Sequence, residues 1–190
     1  MRARLSSAFA AVPVDRGRGL GDISRMSDSA ADLRPGETSF AEAATDPQDA
    51  HLRFIGLVRS PWTERALCPK NLREARERRR TASVEIAPAF RLALSDLEAG
   101  QWVHLLSWLD RARRDLALQR PRHADGARGT FSLRSPVRPN PIGLHLVRIE
   151  ALDRDSGHLV IDAIDLLDGT PLLDLKPFLP SVDIPPADGA

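Results

Sequence analysis

Residues 129–143 read Gly129-Thr-Phe-Ser-Leu-Arg-Ser-Pro-Val-Arg-Pro-Asn-Pro-Ile-Gly143 and place three prolines within six positions. Each proline fixes its own φ and disfavours the helical conformation in the residue before it. This proline-rich segment is therefore predicted to be stiff and extended, and it cannot form a helix. Arg134 and Arg138 are carried on this backbone, and Asn140 lies between two of the prolines.

A rigid segment that carries two guanidinium groups and an amide has two interpretations. It can be a pre-organised clamp for a ligand with carboxylate, phosphate or base edges, because the planar guanidinium group pairs well with such groups. It can also be a rigid turn between two strands, with solvated arginines. The residues alone leave both interpretations open.

Charge is unevenly distributed along the 190-residue chain, although the formal net charge is only +1. Residues 1–50 contain 6 basic and 8 acidic side chains, residues 51–149 contain 19 and 9, and residues 150–190 contain 2 and 9. The basic middle segment is either a solvated charged surface or a surface that binds a polyanion such as RNA. The arginines predicted to contact RNA are Arg76, Arg79, Arg120, Arg122 and Arg138.

Composition excludes several classes of protein. No apolar run approaches the roughly 20 residues that a membrane-spanning helix needs. Cys68 is the single cysteine, so the chain has neither a disulfide framework nor a cysteine-based zinc site. We therefore expect a cytoplasmic protein with no metal and no membrane association, in which Cys68 is either a reactive thiol or, more simply, a packed small residue.

The chain is predicted to hold one mainly β domain between two tails. Residues 1–50 are rich in Ala, Ser, Asp, Gly and Pro without a sustained period, and such a composition cannot bury enough apolar surface to offset ordering. Residues 51–183 contain short apolar runs separated by turn residues, which favours a small antiparallel barrel or sandwich with one or two short helices. Residues 184–190 form a short C-terminal tail.

Strands are predicted at 52–59, 82–86, 101–109, 144–152, 158–167 and 171–175, with helical spacing at 89–97. The pair Asp168-Gly169 is typical of a two-residue hairpin turn, so the last two strands are predicted to pair with each other. No glycine-rich fingerprint between a strand and a helix is present, which argues against a Rossmann-type nucleotide site.

Arg134-Ser-Pro-Val-Arg-Pro-Asn-Pro-Ile-Gly143 closely resembles the signature of the TsaA-like (TrmO) family of S-adenosylmethionine-dependent tRNA methyltransferases. Phe54-Ile-Gly-Leu-Val-Arg-Ser-Pro-Trp62 is similar to the opening strand of that family. Asp165-Leu-Leu-Asp-Gly-Thr-Pro-Leu-Leu-Asp-Leu-Lys-Pro-Phe-Leu-Pro180 is similar to its closing block. The three blocks occur in the family's order and cover about two thirds of the chain.

The resemblance implies a compact β-barrel, a homodimer, and S-adenosyl-L-methionine as a cofactor bound near the dimer interface. It also implies methyl transfer to the exocyclic amine nitrogen of threonylcarbamoyladenosine beside the tRNA anticodon, with Asp165 and Asn140 as candidates to orient the amine or accept its proton. The cofactor contacts that it implies fall at Asn71, Leu72, Arg73, Leu109, Asp110, Arg134, Leu144, Asp162, Ala163, Ile164 and Asp165.

The chain also departs from the family pattern. Trp102 and Asp110 stand where family members commonly have histidines, and His104, two residues beyond the first position, is interpreted as a half-buried structural histidine. The segment that follows Asp110 is shorter than in many members. These departures keep two alternatives open: an S-adenosylmethionine-dependent methyltransferase of a small molecule, and a non-catalytic S-adenosylmethionine-binding or RNA-binding module.

Overall fold

A computed structural model describes residues 33–40, 51–121 and 124–186. Two compact units are separated after Arg34, and all the helices and strands given below belong to the unit that begins at Pro35. The disorder predicted for residues 1–50 concerns mainly residues outside the described ranges. Arg122, one of the predicted RNA contacts, also lies outside them.

Nine strands and two α-helices are described. The strands are β1 (Thr38–Ser39), β2 (Gly56–Arg59), β3 (Ala82–Ile86), β4 (Trp102–Trp108), β5 (Leu116–Gln119), β6 (Arg128–Gly129), β7 (Ile142–Asp153), β8 (His158–Ile161) and β9 (Pro171–Pro177). The helices are α1 (Leu72–Glu77) and α2 (Pro180–Asp183), and two 3-10 helices span Pro88–Leu94 and Thr130–Ser132. None of the described helices is long and apolar enough to cross a membrane.

Six strands close an antiparallel barrel in the order β2-β3-β8-β7-β4-β9, and β9 pairs back with β2. The predicted mainly β fold with short helices is thereby confirmed. The longest pairing joins β4 and β7 over seven residue pairs, from Trp102 opposite Arg148 to Trp108 opposite Ile142. Because side chains alternate between the two faces of a strand, every second residue of these strands points into the barrel.

The barrel interior is filled mainly by branched aliphatic side chains. Those that are fully shielded from solvent include Val58, Val84, Leu105, Val147, Ile149 and Leu172. The two strands with the longest pairing depart from this pattern at one end, where Ser107 of β4 and His145 of β7 occupy interior positions. Polar side chains in an apolar interior need hydrogen-bonding partners, and those partners define the site described below.

β1, β5 and β6 form a second, three-stranded sheet in the order β1-β5-β6. Thr38 of β1 pairs with Leu118 of β5, and the Phe40 ring lies 6.1 Å from the Phe131 ring. Residues 38–39 fall inside the segment for which composition predicts disorder. They form a strand here because the backbone of β5 supplies hydrogen bonds that a local composition argument does not consider.

The predicted hairpin at Asp168-Gly169 is wrong. β8 ends at Ile161 and pairs with β3 and β7, whereas β9 pairs with β2 and β4. The turn is fixed to β2 instead, because the Asp168 carboxylate accepts a hydrogen bond from Ser60 N (3.0 Å) and Gly169 N donates to Val58 O (2.9 Å). Gly169 does have the positive φ (77°) of a turn glycine, so the turn exists but joins different strands.

Candidate active site

The proline-rich segment is held by a buried polar anchor. Gln119 of β5 donates hydrogen bonds from Nε2 to Val137 O (2.6 Å) and to Thr130 Oγ1 (2.9 Å). The Thr130 hydroxyl donates in turn to Leu116 O (2.5 Å). Gln119 and Thr130 are buried. The segment is therefore rigid for two reasons, its prolines and this anchor on the small sheet.

The three candidate clamp residues of the proline-rich segment have different environments. Arg138 turns back onto its own segment, where Nη2 donates to Leu133 O (3.2 Å). Arg134 is exposed and donates from Nη2 to Leu144 O (3.1 Å), so its guanidinium group lies over the start of β7. The Asn140 side chain is exposed and makes no hydrogen bond to any part of the chain that the structure describes. Arg134 and Asn140 fit the clamp interpretation, while Arg138 serves the segment itself.

The start of β7 brings together residues that the family resemblance assigns to the cofactor. Leu144 points outward and is half exposed (49%), next to the Arg134 guanidinium group. Leu109 N donates to Pro141 O (2.8 Å), so the end of β4 lies against the same turn. Asp110 follows and is exposed.

Residues 162–165 form a second part of this region, immediately after β8. Both oxygens of Asp162 are occupied: Oδ2 accepts from Arg76 Nε (2.7 Å) and Oδ1 accepts from Arg148 N (2.8 Å). The side chains of Ala163 and Ile164 are buried. Both residues are buried as a whole, so neither their side chains nor their backbone groups offer accessible surface to a ligand, and Ile164 O accepts from Trp62 Nε1 (2.9 Å).

Asp165 begins a hydrogen-bonded chain that leads into the barrel. Its Oδ1 lies 2.8 Å from Nδ1 of His145, and Nε2 of His145 lies 3.1 Å from the Ser107 hydroxyl oxygen. An ionised carboxylate only accepts, so Nδ1 carries the imidazole proton and Nε2 accepts from the serine hydroxyl. We call Ser107, His145 and Asp165 the interior triad.

The interior triad has the residue types of a hydrolase nucleophile site, but its geometry excludes that chemistry. Ser107 has no solvent-accessible surface, and His145 is buried at 7% exposure. A serine nucleophile must reach a substrate carbonyl carbon, which this hydroxyl cannot do. The exposed end of the triad is Asp165, whose side chain is 17% accessible.

Sequence reasoning identified Asp165 and missed His145 and Ser107. A signal for His145 exists in the alternation of β7, where Gly143, His145, Val147 and Ile149 share the inward face. A histidine in an otherwise apolar inward row is a polar group that needs a partner. Its partners are 38 and 20 residues away in the sequence, so nothing in the sequence identifies them.

The loop before α1 lies near Asp165. Burial, with a contribution from the Asp165 carboxylate, raises the pKa of the Cys68 thiol to about 11. Cys68 is therefore a neutral thiol at pH 7, which favours the interpretation as a packed small residue over that as a reactive thiol.

The next residues of this loop stabilise the first turn of α1. Asn71 is the N-cap, and its Oδ1 accepts from Glu74 N (3.0 Å). Leu72 packs on the core and Arg73 is exposed. The amide oxygen of Asn71 is therefore engaged by the helix, and a ligand here would meet the remaining N–H groups of that amide.

The arginines predicted to contact RNA divide into structural and exposed ones. Arg76 is structural: besides Asp162 it binds Leu146 O through Nη2 (2.7 Å), and its guanidinium group lies 5.3 Å from the centre of the Trp102 ring. Arg79 and Arg120 are exposed. Arg79 lines a groove of about 370 Å³ together with Arg76, Arg80, Thr81, Glu150 and Asp162.

His104 has the contacts of a structural residue. Its ring packs edge-on against Phe178, with ring centres 5.7 Å apart, and Nε2 lies 3.7 Å from an Asp183 carboxylate oxygen. Its Nδ1 is buried without a hydrogen-bonding partner among the described residues.

Comparison with known proteins gives one matching family and several relatives. The family model described as the tRNA-methyltransferase O N-terminal domain matches residues 57–184. The probable S-adenosyl-L-methionine-binding protein VirR of Rhizobium radiobacter is 40% identical over 137 residues, which cover 72% of this chain and 75% of VirR. The tRNA (adenine(37)-N6)-methyltransferase of Eikenella corrodens is 49% identical over 72 residues, which cover 36% of this chain and 41% of that enzyme.

The fold comparison agrees with the sequence comparison. The crystal structure of TrmO from Pseudomonas aeruginosa superposes with a TM-score of 0.55 at 32% identity, covering 74% of this chain and 60% of that one. This chain spans only 35% of the length of a probable S-adenosyl-L-methionine-binding protein of Archaeoglobus fulgidus, with which it shares 42% identity over 132 residues. Several relatives are thus longer than this chain.

Proposed function

This chain belongs to the family of the tRNA-methyltransferase O N-terminal domain, and from that premise we propose that it is an S-adenosyl-L-methionine-dependent methyltransferase of tRNA. The proposed methyl acceptor is the exocyclic amine nitrogen of the threonylcarbamoyladenosine beside the anticodon. The proposed functional domain is residues 51–183.

One observation supports this proposal most directly. Leu109, Arg134 and Asp165 come from separate parts of the sequence, and each makes a hydrogen bond to one of residues 141–145 at the start of β7, where Leu144 also lies. They are also among the residues that the family resemblance assigns to the cofactor. Together these residues offer apolar side chains, a carboxylate and a guanidinium group, which suit a ligand that combines a base, hydroxyl groups and charged groups.

The residues present fit S-adenosyl-L-methionine chemically. Asp165 can accept hydrogen bonds from an ammonium or hydroxyl group, and Leu144 and Leu109 offer apolar surface to an adenine ring. The cofactor supplies an activated methyl group, so the protein's task is to align the reactants and exclude water.

Asp165 and Asn140 are the groups proposed to orient the amine or accept its proton. Asn140 is exposed on a rigid segment, so its amide can hold a base edge in a defined direction. A strong base is not required, because the proton can leave the nitrogen during or after methyl transfer.

The exposed arginines support a polyanionic substrate. Arg79 and Arg80 lie at the groove beside α1, and Arg120 is exposed on the small sheet. Arginines that contact phosphates make RNA binding weaken steeply with salt. The basic middle segment would supply this part of the affinity, whereas Arg76 and Arg138 hold the fold.

We also propose a homodimer and a cytoplasmic location. The outward side of β4 and β7 carries partly exposed apolar side chains, namely Trp102 (40%), Ile142 (38%) and Leu144 (49%). An apolar patch of this kind is typical of an interaction surface. A single cysteine agrees with a reducing compartment.

The test is incubation of the purified protein with methyl-labelled S-adenosyl-L-methionine and bulk tRNA, followed by nuclease digestion and identification of the labelled nucleoside. Label in methylated threonylcarbamoyladenosine would support the proposal. Bound cofactor without label in tRNA would refute the substrate and favour a small-molecule methyltransferase or a binding module.

A variant pair tests the cofactor region in the same assay. Arg134→Ala should abolish cofactor binding, because it removes the guanidinium group beside Leu144. Arg53→Ala is the matched control, because Arg53 is exposed and its side chain makes no hydrogen bond or ion pair with the described residues. Wild-type cofactor affinity in Arg134→Ala would contradict the assignment.

A further inference from the structure

We propose that His145 is a positioning residue that fixes the orientation of the Asp165 carboxylate for the cofactor, supported from behind by Ser107 and made possible by Gly143. This inference rests on the proposed cofactor and concerns residues to which the family resemblance gives no role.

Asp165 has a carboxylate oxygen that accepts no hydrogen bond from the described residues, whereas both oxygens of Asp162 accept one. Both oxygens of Asp162 are engaged, one by Arg76 and one by the backbone of Arg148. Asp165 uses Oδ1 for His145 and makes no other hydrogen bond to the described residues. Its Oδ2 is therefore the carboxylate oxygen of segment 162–165 that is available to a ligand.

The interior triad defines the position of the Asp165 Oδ2 atom. A carboxylate on a partly exposed segment can rotate unless a partner holds one of its oxygens. The donor here is Nδ1 of a buried imidazole, and the ring cannot turn because the Ser107 hydroxyl holds Nε2. Side chains that are locked by such supporting hydrogen bonds hold a binding group in a defined geometry.

Gly143 leaves the space that the hydrogen bond between Ser107 and His145 occupies. Ser107 and Gly143 are directly opposite each other in the β4–β7 pairing. A Cβ atom at position 143 would lie 2.3 Å from the Ser107 hydroxyl oxygen and 2.5 Å from Nε2 of His145. The hydrogen bond between these two side chains therefore requires glycine at the end of the proline-rich segment.

His145 is not placed to accept a proton from a ligand. Its Nδ1 already carries a proton, and its Nε2 faces Ser107 inside the barrel. The protonated Nδ1 has no free lone pair in the ring plane, and a proton from a ligand cannot reach the lone pair of the buried Nε2. The imidazole therefore acts on the ligand only through the orientation of Asp165.

The experiment measures binding of S-adenosyl-L-methionine by calorimetry to the wild type and to His145→Leu, His145→Asn and Asp165→Asn. We expect His145→Leu to weaken binding about tenfold, since one well-oriented hydrogen bond of about 1.4 kcal/mol is lost. His145→Asn should stay within about threefold of the wild type, because the amide N–H₂ can replace Nδ1 as the donor. His158→Leu, at an exposed histidine of β8, is the control and should bind as the wild type.

Two further readouts separate positioning from stability and from the proposed function. In ligand-free protein, nitrogen NMR of labelled histidine should give the Nδ1–H tautomer for His145, and Asp165→Leu should shift the tautomer equilibrium. The double variant His145→Leu/Asp165→Asn should bind no more weakly than Asp165→Asn alone.

Equal affinity of His145→Leu and the wild type would overturn the inference. Equal losses of affinity and of melting temperature in His145→Leu and His145→Asn would also overturn it, because they would indicate a structural role only. Wild-type protein that binds the cofactor but methylates no tRNA would refute the proposed substrate, while the ratio of affinities among the His145 variants would still support the positioning role.

Discussion

Replacement of Gly143 by alanine is the most direct perturbation of the interior triad. The new methyl group would point into the barrel, 2.3 Å from the Ser107 hydroxyl oxygen and 2.5 Å from the nearer ring nitrogen of His145. Neither neighbour is the free end of a flexible chain, because Ser107 is fully buried and the imidazole is held at both nitrogens. The backbone of β7, or the triad itself, must therefore move.

The expected cost has two parts. Inserting a methyl group into a packed interior costs about 1–3 kcal/mol. Separating Ser107 from His145 leaves buried polar atoms without partners, which costs about 1–3 kcal/mol more. Alanine reduces the entropy of the unfolded chain relative to glycine and offsets about 0.4–1 kcal/mol of this. The net loss in the free energy of unfolding is thus about 1–5.6 kcal/mol.

The assay is urea denaturation followed by circular dichroism, with Gly129→Ala as the matched control. Gly129 opens the same proline-rich segment, has a φ of −59°, and a Cβ atom there would meet nothing within 4 Å. The control should unfold within about 0.5 kcal/mol of the wild type. In the double variant Ser107→Gly/Gly143→Ala the closest contact is absent, so the loss should be smaller than the sum of the two single losses.

A free energy of unfolding for Gly143→Ala within about 0.5 kcal/mol of the Gly129→Ala value would refute this reasoning. Additive losses in the double variant would refute the specific clash with Ser107, even if Gly143→Ala alone is unstable.

Three further predictions concern residues around the same site. Trp62→Phe removes the donor to Ile164 O and should lower the free energy of unfolding by about 1–3 kcal/mol in the same denaturation assay; an unchanged midpoint would contradict this. Burial raises the pKa of Cys68 to about 11, so its thiol should react slowly with iodoacetamide at pH 7 and faster as the pH rises toward 11. Urea-unfolded protein should react readily near pH 9, and mass spectrometry measures both rates. Equal rates for folded and unfolded protein at pH 7 would be inconsistent with burial. Gln119→Ala leaves Val137 O without its donor, so limited proteolysis should cut the proline-rich segment faster than in the wild type. An unchanged cutting rate would contradict this prediction.

Local chemistry accounts for the parts of the fold that the sequence predicts. The sequence predicts β3, β4 and β7 close to their observed bounds. Apolar residues that alternate along a segment can be buried together on one face of a strand, so this pattern indicates a strand. The predicted hairpin at Asp168-Gly169 is wrong because the contacts of this turn are distant in the sequence. The turn residues were identified correctly, but the partner of the Asp168 carboxylate is Ser60, 108 residues earlier.

The candidate site likewise contains residues that the sequence predicts and contacts that it does not predict. Asp165 and Arg134 were expected from the resemblance to a family, while the pairing of Arg76 with Asp162 across 86 residues was not. Arg76 was predicted to contact RNA because an exposed and a structural arginine have the same local sequence environment. Only the fold separates them.

The sequence by itself determined the stiffness of the proline-rich segment, the mainly β class and the family, because proline geometry, strand alternation and motif order are properties of neighbouring residues. The tertiary structure alone decided which polar groups meet. Gly143, Ser107, His145 and Asp165 act together because β4 and β7 pair in one register and residue 165 returns to the same end of the barrel. Hydrogen bonds act over about 3 Å, so the register of the strands, rather than the sequence separation of the residues, determines which of them form the site.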